Sequence, residues 1–145
     1  MNRKISLFIL LGIIFTFAMF IFALSNGISN AEECRMIKVY GQPGGQVIFR
    51  LEPDTIKVDK GTCVVWVNFA RENEIKVIFE QGKVCKDVTK APVGFKLDAK
   101  NCYVTNYMPF GGTSSLLFDE PGEFKYILEA GGERLNGKII VNASK

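Results

Sequence analysis

The chain has no histidine. Without an imidazole, Ser114-Ser115 has no partner of the kind that activates a serine nucleophile. Other absences narrow the field further. No CxxC spacing occurs among the four cysteines, so a thiolate metal site has no frame. No nucleotide, haem or hydrolase signature is present. No run of Lys or Arg is available to track phosphates, and the basic residues are scattered among acids, which excludes a nucleic-acid partner. No internal repeat, low-complexity tract or long amphipathic helix is visible after residue 31. The reading is therefore of a non-enzymatic protein without a cofactor.

The first 31 residues lack acids altogether and carry only Arg3 and Lys4 as bases. Nothing from Ile5 to Leu24 is charged. As a helix that run would extend about 30 Å, roughly the hydrocarbon thickness of a bilayer. Two fates are compatible with it. One is a signal peptide cut after Ser29-Asn30-Ala31; the other is an uncleaved N-terminal membrane anchor through residues 5–24. Either expectation places residues 32–145 outside the cytoplasm, periplasmic or at the cell surface, because Arg3 and Lys4 hold the N-terminus inside. Ala31-Glu32-Glu33 is unlike a lipobox, so Cys34 is not expected to carry lipid. Without Arg3 and Lys4 the 18 bases fall to 16 against 15 acids, a net charge near +1 for the exported part.

Four cysteines in an exported domain point to disulfides. Three pairings are open to them. The expected one joins Cys85 to Cys102 across the least regular segment, where closing the loop is worth about 3 kcal/mol by chain entropy. Cys34 and Cys63 then remain for each other.

From residue 32 onward the chain alternates like strands. Met36–Tyr40, Gln46–Leu51, Thr55–Val58, Cys63–Asn68, Ile75–Phe79, Thr113–Phe118, Phe124–Leu128 and Gly137–Val141 are β-branched or aromatic runs between Gly, Pro and Asp turns. Gly41-Gln-Pro-Gly-Gly is expected to end the first. Residues 81–112 lack this rhythm; they read as an excursion with one or two helical turns over 84–90. Short strands at such spacing imply an all-β sandwich or barrel. Trp66, Phe118, Phe124 and Tyr126 are expected in its core. Glu72, Glu74, Glu129 and Glu133 are expected to be solvated, and Asn142-Ala-Ser fits a glycosylation acceptor.

Three segments in order resemble the cupredoxin family, the fold of plastocyanin and azurin. Leu51-Glu-Pro-Asp-Thr-Ile-Lys-Val-Asp-Lys-Gly-Thr-Cys-Val-Val-Trp-Val-Asn is similar to its alternating strand, glycine turn and Trp-x-Asn strand. Thr113-Ser-Ser-Leu-Leu-Phe-Asp-Glu-Pro-Gly-Glu-Phe-Lys-Tyr is similar to its Phe-x-x-Pro-Gly-x-Tyr-x-Tyr segment. Gly137-Lys-Ile-Ile-Val is similar to its closing strand. The resemblance covers about residues 46–142 and implies a Greek-key β-sandwich preceded by the N-terminal export or anchor helix. It also implies a place for type 1 copper, which takes two imidazoles, a thiolate and a weak axial ligand. Those ligands would fall at Glu74 or Ile75, at Leu128 or Glu129, near Gly132 and near Leu135, and none matches. The expectation is a copper-free cupredoxin-like module acting as a structural or interaction subunit, within a respiratory or metal-handling complex of the membrane. The alternative is a metal-binding or electron-transfer protein with a non-standard site. In the resembled fold, Met108, Phe110 and Leu135 would form an apolar rim at one end of the sandwich. That rim either plugs the vacated site or docks another exported or membrane protein.

Overall fold

The computed structural model describes residues 34–42, 48–79 and 86–143. Residues 1–31, expected to export or anchor the chain, lie outside them. Among the described residues there are eleven strands and no helix, so none long and apolar enough to cross a membrane. In chain order they are β1 (Arg35–Gln42), β2 (Ile48–Glu52), β3 (Thr55–Asp59), β4 (Thr62–Asn68), β5 (Ile75–Ile78), β6 (Thr89–Val93), β7 (Phe95–Leu97), β8 (Tyr103–Thr105), β9 (Thr113–Phe118), β10 (Gly122–Ala130) and β11 (Glu133–Asn142).

They form two sheets. One has the order β2-β1-β4-β9-β6, the other β3-β11-β10-β5-β8-β7. Most neighbours are antiparallel, but β1 runs parallel to β4 and β11 parallel to β3. Two short corners carry the chain from one sheet to the other. Pro53-Asp54 links β2 to β3, and Gly94, at φ +71°, links β6 to β7. The alternation read in the sequence supplies the sandwich interior. Val64, Trp66 and Asn68 of β4 point inward, as do Leu116 and Phe118 of β9 and Phe124, Tyr126 and Leu128 of β10. Trp66 is fully buried and meets Phe79, Phe95 and Tyr126 edge-on, with centroids 5.8, 5.4 and 5.5 Å away. That geometry sets ring edges against ring faces, which the aromatic quadrupole favours.

Two expectations need correction. β1 does not stop at Gly41. It continues to Gln42, and Gly41 pairs with Phe49 across β2. The start expected for the second strand, Gln46, lies outside the described residues. The irregular segment contains β6, β7 and β8 rather than helical turns. Residues 84 and 85 are outside the described residues, but Lys86–Val88 form a turn and Thr89-Lys90 pair with Phe118-Leu117 of β9. The edge of the five-stranded sheet offers these residues ladder hydrogen bonds and half-buries Val88 against the core. Pro92 and the break at Gly94 keep the strands too short for a periodicity to register.

Cys34 and Cys63 are disulfide-bonded, with Cα atoms 4.4 Å apart. They continue the parallel register of β1 and β4. By chain entropy, closing a loop of sequence separation 29 is worth about 3.5 kcal/mol. Cys102 is disulfide-bonded too; the partner expected for it, Cys85, lies outside the described residues. An ion pair joins Lys90 to Asp119 where β6 meets the end of β9. The Lys90 hydrogen bond holds the Asp119 carboxyl below its usual range. The depressed pKa means the pair supports the fold above the carboxylate's unfolded pKa and loses that support as pH falls through the folded value.

Candidate functional site

At the end of the sandwich where β4 finishes, two loops are bonded to Asn68. Its side chain is fully buried. Its Nδ2 donates to the carbonyl of Asn73 at 2.8 Å and to that of Met108 at 2.9 Å, while its Oδ1 accepts from the Ala70 amide at 2.8 Å. The Asn68 backbone takes part as well, donating to the Gly112 carbonyl at 3.0 Å and accepting from the Gly111 amide at 2.8 Å. Ile75 and Met108 exchange both backbone bonds, at 3.0 and 2.7 Å. One carboxamide therefore ties the loop 69–74 to the loop 106–112. Opposite them is the β10–β11 turn. Gly131 sits at φ +54°, and a Cβ there would meet Phe49 Cζ at 2.8 Å and Asn73 Oδ1 at 3.0 Å. The Phe49 ring thus closes this end from β2.

The apolar rim expected from Met108, Phe110 and Leu135 is not a single surface. Met108 is a core residue, 6% exposed. Its sulfur accepts from Ser114 Oγ at 2.9 Å, and its backbone pairing with Ile75 turns the side chain inward. Leu135 is half-buried against the core. Only Phe110 of the three is exposed, at 53%. A second exposed ring of the same loop, outside the expected rim, is Tyr107, 56% exposed. Each ring has a cation over it. The Arg71 guanidinium lies 6.0 Å from the Phe110 centroid and Lys76 Nζ 5.4 Å from that of Tyr107. Such stacking holds the ring and the cation in place together. Tyr107 and Phe110 flank a Met-Pro pair whose methionine is buried, and that alternation was the available sign that the rings face outward.

No family model matches the chain, and no curated protein does. Solved structures do. A reduced proline-to-phenylalanine mutant of amicyanin is 18% identical, with a TM-score of 0.51, over 79% of this chain and 87% of that one. The Cu(I) form of a methionine-to-alanine mutant of amicyanin gives the same identity, score and coverage. A purple cupredoxin from Nitrosopumilus maritimus covers 74% of this chain and 99% of its own at 15% identity, with a TM-score of 0.45. The fold is cupredoxin-like.

The residues at the expected ligand positions do not fit copper. Ile75 and Leu128 are fully buried hydrocarbons. Glu74 is exposed, and Glu129 Oε1 is engaged by Arg134 Nη2 at 2.6 Å and Nε at 3.1 Å. Gly132 has no side chain, and Leu135 packs inward. The donor chemistry of a type 1 centre is missing in every place, since the chain holds no imidazole and the nearby sulfur, Met108, is occupied by Ser114. Among the described residues no three His, Cys, Asp or Glu side chains group as metal ligands.

Proposed function

We propose that this chain is an exported, non-enzymatic cupredoxin-like module without copper, which docks another exported or membrane protein through Phe110 and Tyr107. The reading rests on one observation. The loop frame of the sandwich end is maintained by the buried Asn68 network, while hydrocarbon fills its interior and two aromatic rings, each held by a cation, stand outside. Maintaining an ordered frame around exposed rings lowers the entropy lost when a partner buries them. Aromatic and Arg side chains are the usual anchors of such contacts. A disulfide between Cys34 and Cys63 fits an oxidising compartment. The partner in this reading is a subunit of a respiratory or metal-handling complex in the same membrane.

The test is a photo-crosslinker placed at Asn106, beside the docking rings, in cells producing the full chain. A discrete crosslinked species is expected with the native sequence. It is expected to fall at least about tenfold with Phe110→Asp and Tyr107→Asp together, the loss of two anchors at ~1 kcal/mol or more each. The melting temperature should stay within about 2 °C, since exposed substitutions cost little. Undiminished crosslinking would overturn the docking role. Stoichiometric copper uptake by the purified chain, with thiolate-to-copper absorption, would overturn the copper-free reading.

A further inference from the structure

The two sheets differ on their outer faces. The outward positions of the six-stranded sheet carry Lys57 and Asp59 on β3, Arg134, Asn136 and Lys138 on β11, and Glu123, Lys125 and Glu129 on β10, with Ile78 and Ile127 among them. That is the composition of a solvated face. The five-stranded sheet is the reverse. Its central strand β4 turns Cys63 and Val65, both half-buried, toward this side, along with Val67, which is covered. One row of the register crosses the sheet from Met36 to Val65, Ser115 and Val93. Met36 is half exposed, Val93 is 61% exposed, and Ile48 at the other edge is 62% exposed. A second row sets the Arg50 guanidinium over Tyr40, which stacks on Phe69 at 5.6 Å.

The charges of this face are arranged around the apolar rows. Among the described residues its cations are Lys38, Arg50 and Lys90. Its acids, Glu52 and Asp119, are taken up by Arg50 at 3.3 Å and by Lys90. The covalent connection matters as well. The N-terminal segment enters the domain at Cys34, and Cys34 is bonded to Cys63 on this same face. Between the uncharged run ending at Leu24 and Cys34 lie nine residues, a reach of at most about 30 Å when extended.

We propose that the outer face of the five-stranded sheet lies against a phospholipid bilayer. Met36, Val65, Val93 and Ile48 meet the acyl boundary, with Lys38 and the Arg50–Glu52 and Lys90–Asp119 ion pairs at headgroup level. A weak apolar surface becomes effective when a second membrane signal is tethered to it; the proposal rests on the uncleaved-anchor reading, in which residues 5–24 supply that signal. Phe110 and Tyr107 lie on the loop 106–112 and not on this face, so the docking reading stands or falls separately.

The experiment places the full chain in nanodiscs of phosphatidylcholine and phosphatidylglycerol, one chain per disc. Met36 is followed by peroxide oxidation and the lysines by amine acylation. The double substitution Ile48→Asp and Val93→Asp serves for comparison, since both side chains are exposed and the fold should persist. Met36 oxidation and acylation of Lys38 and Lys90 should be about fivefold slower in the native chain than in the double variant, on the scale of reversible interfacial binding. Lys125 and Lys138, on the opposite face, should react alike in both. Equal rates on the two faces of the native chain would overturn the proposal. So would protection that appears only with two chains per disc, which would assign the face to a second copy.

Discussion

Replacing Gly137 with alanine is expected to remove about 4 kcal/mol of stability, the scale of losing a large aromatic from the core. A Cβ at this position would run into Tyr126 at Cζ and at its hydroxyl oxygen. Gly137 pairs with Tyr126 across β10 and β11, and the phenol ring lies over the glycine backbone. No small adjustment accommodates a methyl group there, so the ring must leave its place among Trp66 and Phe79. Urea denaturation would measure the loss. The mechanism is checked by non-additivity: combined with Tyr126→Ala, Gly137→Ala should cost under about 1 kcal/mol more, because the clash has been removed. Additive costs would show that Gly137 serves the strand in some other way.

Tyr126→Phe separates the ring from its hydroxyl. The hydroxyl is buried beside the Trp66 indole N–H, and neither meets a partner of good hydrogen-bond geometry among the described residues. Burial pushes the Tyr126 ionisation up, an effect that the neighbouring Trp66 offsets only in part. The folded pKa is thus above the unfolded one. Its contribution is intact below an unfolded pKa of about 10 and is lost as pH rises beyond it. The phenylalanine variant should match the native chain at pH 7 and lose less stability above pH ~10, where Tyr126 no longer contributes to the linkage.

These two residues also show how much of the molecule was legible in its sequence. Tyr126 and Gly137 lie in segments whose alternation marks one side of each strand as buried, so the sandwich and its core followed from local pattern. The sheet order did not follow in the same way, since the parallel pairs β1–β4 and β3–β11 are long-range. Residues 86–105 were illegible for a related reason. Strands as short as Phe95–Leu97 and Tyr103–Thr105 are stabilised by the ladder they join and carry no period of their own. At the candidate site, composition alone showed that the two imidazoles of a type 1 centre are missing. Met108 was left open between plugging the end of the sandwich and lining a rim because Tyr107-Met-Pro-Phe alternates around a backbone bridge to Ile75, and only that bridge determines which side faces in.

Asn68→Ala is expected to cost about 4 kcal/mol, and the cost should be distributed unevenly. Alanine leaves the buried Ala70 amide without its acceptor and the Asn73 carbonyl without its donor. Each orphaned group costs about 1–3 kcal/mol. The Met108 carbonyl loses less, because the Ile75 amide still donates to it. The main-chain bonds from Asn68 to Gly111 and Gly112 do not involve the side chain and should survive. Native-state hydrogen exchange can resolve this. The Ala70 amide should exchange at least about a hundredfold faster, as the loss of a ~3 kcal/mol local constraint implies, while the Gly111 amide slows or speeds only with global stability. If Ala70 and Gly111 accelerate together, the carboxamide acts on the whole domain and not on the loop 69–74. If the local pattern holds, Arg71 is released from Phe110, and crosslinking at the docking end should weaken even under conditions where the variant is fully folded. That outcome would connect a buried side chain of β4 to the exposed ring it never touches, through two backbone carbonyls and one amide.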